Sequence, residues 1–191
     1  MTAWWETQPD DPPGFGEWLR LISNYDPHDP GEINAGIRRW FREYFNAEGA
    51  TSAELAAGAL AAHQVAVVAD ALATVLSDLH RTTAERPAVV VEEDARMGVR
   101  IAIDGGYGGN PVWGVEQPAV LAEVAEYIQD QLQGVAIDGN LRIWPDCSQH
   151  NVGLHAEVYD GRAVWWCRLG NHELAPIGQL ETTNPGHERS V

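Results

Sequence analysis

The sequence predicts an α+β fold with a helical N-terminal half, a β-hairpin plus helix in the middle, and a small β module at the C-terminus. Three observations predict it. Apolar residues recur at helical spacing between positions 15 and 82. After Pro87 the pattern changes to short alternating or β-branched runs, separated by Gly, Asp and Asn. Pro118 opens one further amphipathic stripe before the β pattern returns.

Taken in order, residues 1–14 read as a flexible acidic arm, because Pro9, Pro12, Pro13 and Gly14 oppose helix. Trp4 and Trp5 within it either fold back onto the body or dock a partner. Residues 15–85 form the helical region. Phe15 to Ser23 makes a short helix with Phe15, Trp18, Leu19 and Ile22 on one face. Asp29 as N-cap, Pro30 and Glu32 then start a second helix. Its stripe is Ile33, Ile37, Trp40, Phe41, Tyr44 and Phe45. Thr51 and Glu54 have capping-box spacing for an Ala-rich helix that runs to about Thr82. The two long helices are expected to pair as an antiparallel hairpin.

Residues 86–143 are a β-hairpin plus helix unit. Ala88 to Glu93 and Val99 to Ile103 are its strands, and the glycine-rich GGYGGN at 105–110 is a loop. Pro118 at N1 opens a helix with Val120, Leu121, Val124, Tyr127, Ile128 and Leu132 on one face, ended by Gly134. Asp138 to Asn140 form a turn that leads into a module at 144–180. Residues 181–191 lack an apolar pattern and read as a flexible tail.

Composition bounds the function. The 191 residues make one ordinary domain, or a small domain with an appended module, and 45% apolar content supports a real core. Every basic residue is Arg and Ala and Gly are abundant, as in a high-GC genome such as that of an actinobacterium or one of its phages. The net charge of −16 repels phosphate backbones, so nucleic acid is disfavoured and another protein is the expected partner. The densest basic group, Arg38, Arg39 and Arg42, shares its helix with Glu32 and Glu43. No apolar run approaches the length needed to span a bilayer. The N-terminus MTAWWETQPDDPPG lacks a charged-then-apolar signal pattern, so a cytoplasmic location is expected.

The sharpest chemical signal is WPDCSQH followed by LHAEVYDGRAVWWCRLGNH. Cys147 and His150 form C-x2-H; Cys167 and His172 form C-x4-H. Zinc takes thiolate and imidazole in a tetrahedron, and close ligand pairs on two turns can enclose it. Between the pairs lie a strand from Leu154 to Tyr159, an Asp160-Gly161 turn and a strand from Ala163 to Trp166. Asp-Gly is a strong two-residue hairpin signal, so this segment brings the two pairs together. His155 competes with His150 or His172 as a ligand. Two other readings stay open: free cysteines with incidental histidines, and a Cys147–Cys167 disulfide, which a reducing compartment disfavours.

This stretch resembles a zinc ribbon. Cys147 and His150 sit at the first knuckle, Trp165 and Trp166 precede the second, and Ala175 to Leu180 supplies a last apolar strand. The likeness departs from the family in that both knuckles end in His and the second is two residues longer. The resemblance implies a structural Zn2+ in a zinc-ribbon-like module and says little about partners. The leading expectation is a non-enzymatic protein-interaction or adaptor module. One alternative is a zinc-dependent hydrolase or deaminase-like enzyme using Glu157 or Asp146. His155-Ala156-Glu157 matches the H-x-E element of zinc deaminases, but precedes no P-C-x-x-C. A second alternative is a nucleic-acid-associated zinc ribbon. His63 and His80, on the long helix, read as surface or satisfied packing residues. Trp113, in a glycine-rich loop, is expected to be exposed and ligand-facing.

Overall fold

The computed structural model describes residues 6, 8–22, 32–94, 98–107, 111–132 and 143–181. Among them are four helices: α1 (Phe15–Ile22), α2 (Glu32–Glu48), α3 (Ala53–Thr82) and α4 (Ala119–Leu132). Eight strands form three antiparallel sheets. β1 (Val89–Asp94), β2 (Gly98–Ile103) and β3 (Gly106–Tyr107) make the first, and β4 (Asp146–Cys147) and β5 (Val152–Gly153) the second. β6 (His155–Tyr159), β7 (Arg162–Cys167) and β8 (His172–Pro176) make the third. The fold is therefore an α+β mix with its β module at the C-terminus.

α1 buries the face its spacing marks, Phe15, Trp18, Leu19 and Ile22, against Ile37 and Phe41 of α2 and Ala56 and Leu60 of α3. Trp18 satisfies its indole N–H on the Thr51 carbonyl at 2.8 Å. Described residues of the expected arm contact α2. Asp11 pairs with Arg38 and Asp10 with Arg42, and Arg38 also reaches the Glu6 carbonyl. Arg39 pairs with Glu116. The basic triplet of α2 is thus spent on carboxylates. The expected caps at Asp29 and Pro30, the Gly134 stop and the 138–140 turn lie outside the described residues.

α3 is capped by Ser52, whose side chain accepts from Leu55 N–H, and not by Thr51, whose buried hydroxyl has no partner among the described residues. Its close helical neighbour is α4 rather than α2. Ala71 and Val75 meet Val124, Ala125 and Ile128 in one apolar cluster, and alanine lets the two backbones approach. α2 touches α3 through side chains such as Trp40, whose ring lies 5.6 Å from that of His63. By length and composition α3 is also long and apolar enough to cross a membrane, which corrects the expectation from the sequence. Its alanines read there as helix formers, yet they raise hydropathy as well. In this fold α3 contributes to both apolar clusters.

The first hairpin pairs Val89 with Ile103 through Asp94 with Gly98. GGYGGN is not wholly a loop, since Asp104 and Gly105, at φ 50° and 80°, turn the chain into β3. Trp113 is half-buried against Gly98, not exposed, and its carbonyl accepts from Gln64 at 2.7 Å. Asp160 and Gly161 form the expected turn between β6 and β7, both with positive φ. The last strand begins at His172, not Ala175.

The C-terminal module has no separate core. Trp165, Leu154, Ile177 and both cysteines belong to the same cluster as Val75, Leu79 and Ile128. A buried carboxylate fixes it in place. Asp78 of α3 accepts from Trp165 Nε1 at 2.8 Å, Gly178 N–H at 2.6 Å and Leu180 N–H at 2.9 Å. Arg81 completes the clamp, pairing with Asp78 and donating to the carbonyls of Leu180 and Gly178. Gln129 of α4 donates to the carbonyls of Trp144 and Leu154. Full pairing removes most of the cost of burying these groups.

Candidate metal centre

Two hairpin tips build the site. Across β4 and β5, Cys147 lies opposite Val152; across β7 and β8, Cys167 lies opposite His172. Each tip therefore holds four residues, Ser148 to Asn151 and Arg168 to Asn171. Each closes with an Asn in the left-handed region, at φ 54° and 49°. The second knuckle is thus not an elongated version of the first. Both tips have one length, and the histidine has moved two residues along, from the fourth position to the sixth.

Gly170 explains the move. It occupies the position that His150 holds in the first tip. A Cβ there would lie 2.3 Å from His150 Cε1 and 2.6 Å from His172 Cδ2. The missing side chain is the space in which the two imidazoles converge, with ring centroids 5.5 Å apart. Gly170 N–H also points at Cys167 Sγ, 3.3 Å away.

One donor atom from each of Cys147, His150, Cys167 and His172 lies within 4.8 Å of the other three. His150 presents Nδ1, at 3.4 Å from both Cys147 Sγ and Cys167 Sγ. His172 presents Nε2, at 3.7 Å from Cys147 Sγ. A tetrahedral zinc with bonds of about 2.3 Å to sulfur and about 2.0 Å to nitrogen separates the two donor types by about 3.5 Å. The donor set and its spacing are compatible with a zinc site.

The electrostatics suit a cation. Both cysteines are free and fully buried, and both histidines are half-buried. Burial pushes the Cys147 thiol up. The hydrogen bond with His150, the backbone N–H groups of Gln149 and His150, and the contact with Cys167 together outweigh it and bring the thiol from 9.0 to about 6. His172 Nδ1 lies 3.2 Å from the Glu173 carbonyl. Donating there leaves the Nε2 lone pair facing the sulfurs, the tautomer that a metal requires.

The other candidates lie elsewhere. His155 is exposed on β6 and does not join the four-residue group. Glu157 is engaged by Arg168 at 2.7 Å, and Asp146 is exposed beside Cys147 without belonging to the group. His63 Nε2 contacts the Val115 carbonyl at 3.0 Å, a satisfied packing residue, and His80 is exposed. Sequence reasoning missed Gly170 and Asp78. The first was legible as a glycine three residues after a ligand; the second carries no local signal. Comparison of the chain with protein-family models, curated proteins and solved structures finds no match.

Proposed function

We propose that the chain is a non-enzymatic protein in which a structural zinc, held by Cys147, His150, Cys167 and His172, fixes a zinc-ribbon-like module that binds another protein. The observation that carries this reading is the convergence of two sulfurs and two ring nitrogens within 4.8 Å. Two thiolates and two imidazoles fill a zinc tetrahedron, whereas a catalytic zinc keeps one position for water. Zinc bound there supplies a cross-link between the two hairpin tips rather than an activated nucleophile.

Exposed side chains on different sides of the module support the interaction role. Val158, Tyr159 and Leu169 are half or more exposed, at 50%, 52% and 67%, and the Tyr159 ring lies 4.7 Å from that of Trp166. Exposed aromatic and aliphatic side chains of this kind suit a protein contact. The net charge of −16 and the pairing of Arg38, Arg39 and Arg42 with carboxylates favour a basic protein surface over nucleic acid.

Metal content by mass spectrometry on untagged, reduced protein tests the zinc. One zinc per chain is expected, lost in Cys147→Ser, Cys167→Ser and His172→Ala and kept in His155→Ala. Metal-free protein, or zinc retained without Cys167, overturns the reading. A photo-crosslinker at Leu169 tests the interaction face, with a specific protein adduct in the producing cell expected there and not at Ala66 on the exposed side of α3.

A further inference from the structure

A cleft of about 320 Å³ opens where the C-terminal end of α3 and Leu132 of α4 meet β4 and β8. That size falls at the lower end of small-molecule sites, about 300–1,000 Å³. Its floor is apolar, formed by Leu79, Leu132, Trp144, Leu174 and Leu180. Three carboxylates, Glu85, Asp146 and Glu181, complete the wall, and the last two are exposed to solvent.

Among the described residues, every charged side chain that lines the cleft is a carboxylate. Of the described arginines nearby, Arg81 is paired with the Asp78 carboxylate and donates to the carbonyls of Gly178 and Leu180, and Arg86 donates to the carbonyls of His80, Thr83 and Glu85. α3 also ends at the cleft, at Thr82. Helix C-termini present the negative end of the backbone dipole and attract cations. Carboxylates, the α3 C-terminus and net charge therefore act together over an apolar floor.

We propose that this cleft binds a small organic cation, a primary ammonium carried on an aromatic or aliphatic body. The body fills the space over Trp144 and Leu174, and the ammonium meets Asp146 and Glu181. An anion of the same shape meets repulsion, and a neutral molecule gains only the apolar contact. The proposal does not depend on the identity of the metal in the neighbouring centre.

The test is a titration of the full, as-purified chain with 2-phenylethylammonium, read in two-dimensional 1H–15N spectra. The neutral 2-phenylethanol and the anionic 3-phenylpropionate serve as shape controls. Trp144 is the reporter, since its indole N–H donates to Thr82 Oγ1 at 2.9 Å within the cleft. The Trp18 indole, in the α1–α2 core, is the fixed reference. The ammonium is expected to move Trp144 with a Kd of about 1 mM. The alcohol should bind about tenfold more weakly, and the carboxylate should leave the signal unmoved. Asp146→Asn with Glu181→Gln should erase the advantage of the ammonium over the alcohol while leaving alcohol binding intact. Equal binding of amine and alcohol, an unmoved Trp144, or full amine affinity in the double variant overturns the proposal. So does binding that appears only after truncation at Glu181, which would assign the cleft to the chain's own C-terminal segment.

Discussion

Replacing Gly170 with alanine isolates the geometry of the metal centre from its chemistry. All four ligands remain, and Gly170 does not sit in the left-handed region, so its backbone accepts alanine. The new Cβ would lie 2.3 Å from His150 Cε1, 2.9 Å from His150 Nδ1 and 2.6 Å from His172 Cδ2. Ordinary carbon contacts begin near 3.5 Å, so each ring must retreat by roughly 1 Å. Metal–ligand distances tolerate only about 0.2 Å. The site must therefore distort a hairpin tip or release one imidazole. Overpacking of this kind costs about 1–3 kcal/mol, which weakens zinc binding roughly 10- to 100-fold. Competition with a chromogenic chelator measures it. Without metal the rings can rotate aside, so the stability of the metal-free forms should differ little. Gly58→Ala is the control, because no heavy atom lies within 4 Å of its added Cβ and it sits in a helix. Wild-type zinc affinity in Gly170→Ala would refute the convergence of both imidazoles on one ion.

Asp78→Ala leaves the Trp165, Gly178 and Leu180 donors and Arg81 without their acceptor and should cost about 3–5 kcal/mol in urea unfolding; a loss under 1 kcal/mol, roughly one ordinary hydrogen bond, would show that water replaces the carboxylate. Glu123 is held at about 7, above its usual 4.5, by burial and then by the Glu126 charge. The folded state thus keeps a proton that the unfolded chain loses, and stability falls as pH rises from 4.5 through 7. Glu123→Gln should stabilise by about 2 kcal/mol at pH 8 and leave stability at pH 4 unchanged; melts with wild-type pH dependence would contradict this. His155→Ala, at an exposed strand position outside the four-ligand group, should change zinc affinity less than twofold, and a larger loss would bring His155 back as a ligand.

What the sequence made legible follows from how few residue types each task allows. Metal ligation selects Cys and His, so Cys147, His150, Cys167 and His172 stood out, and Asp160-Gly161 announced the turn between the pairs. The equivalent Asp104-Gly105 turn was obscured by the glycines that follow it. Serine and threonine side by side at 51 and 52 both suit a cap; which one turns outward is decided by Trp18, whose indole takes the Thr51 carbonyl. The polar positions of α3 were opaque for a different reason. Gln64 and Asp78 are buried, and His63 half-buried, because their partners come from residues tens of positions away. Helical periodicity marks which positions face inward only when they are apolar. The pairing of α3 with α4 was hidden likewise, since an alanine face fits any close neighbour.

The module is held at two ends by unlike means, and this determines what metal removal does. At one end Cys147, His150, Cys167 and His172 converge between the tips of β4–β5 and β7–β8, where the turns themselves bury little and where the proposed zinc would join them. At the other end Asp78 and Arg81 hold Trp165, Gly178 and Leu180 against α3 by direct hydrogen bonds. The second attachment contains no metal ligand and shares the main apolar cluster. Chelation should therefore open the tips and spare the clamp. Hydrogen exchange on metal-free protein is expected to lose protection at Asn151 N–H, which donates to the Cys147 carbonyl at 2.8 Å, and to retain it at Leu180 N–H, buried on Asp78. Uniform loss at both amides would mean that the metal, and not the shared core, holds the whole module in place.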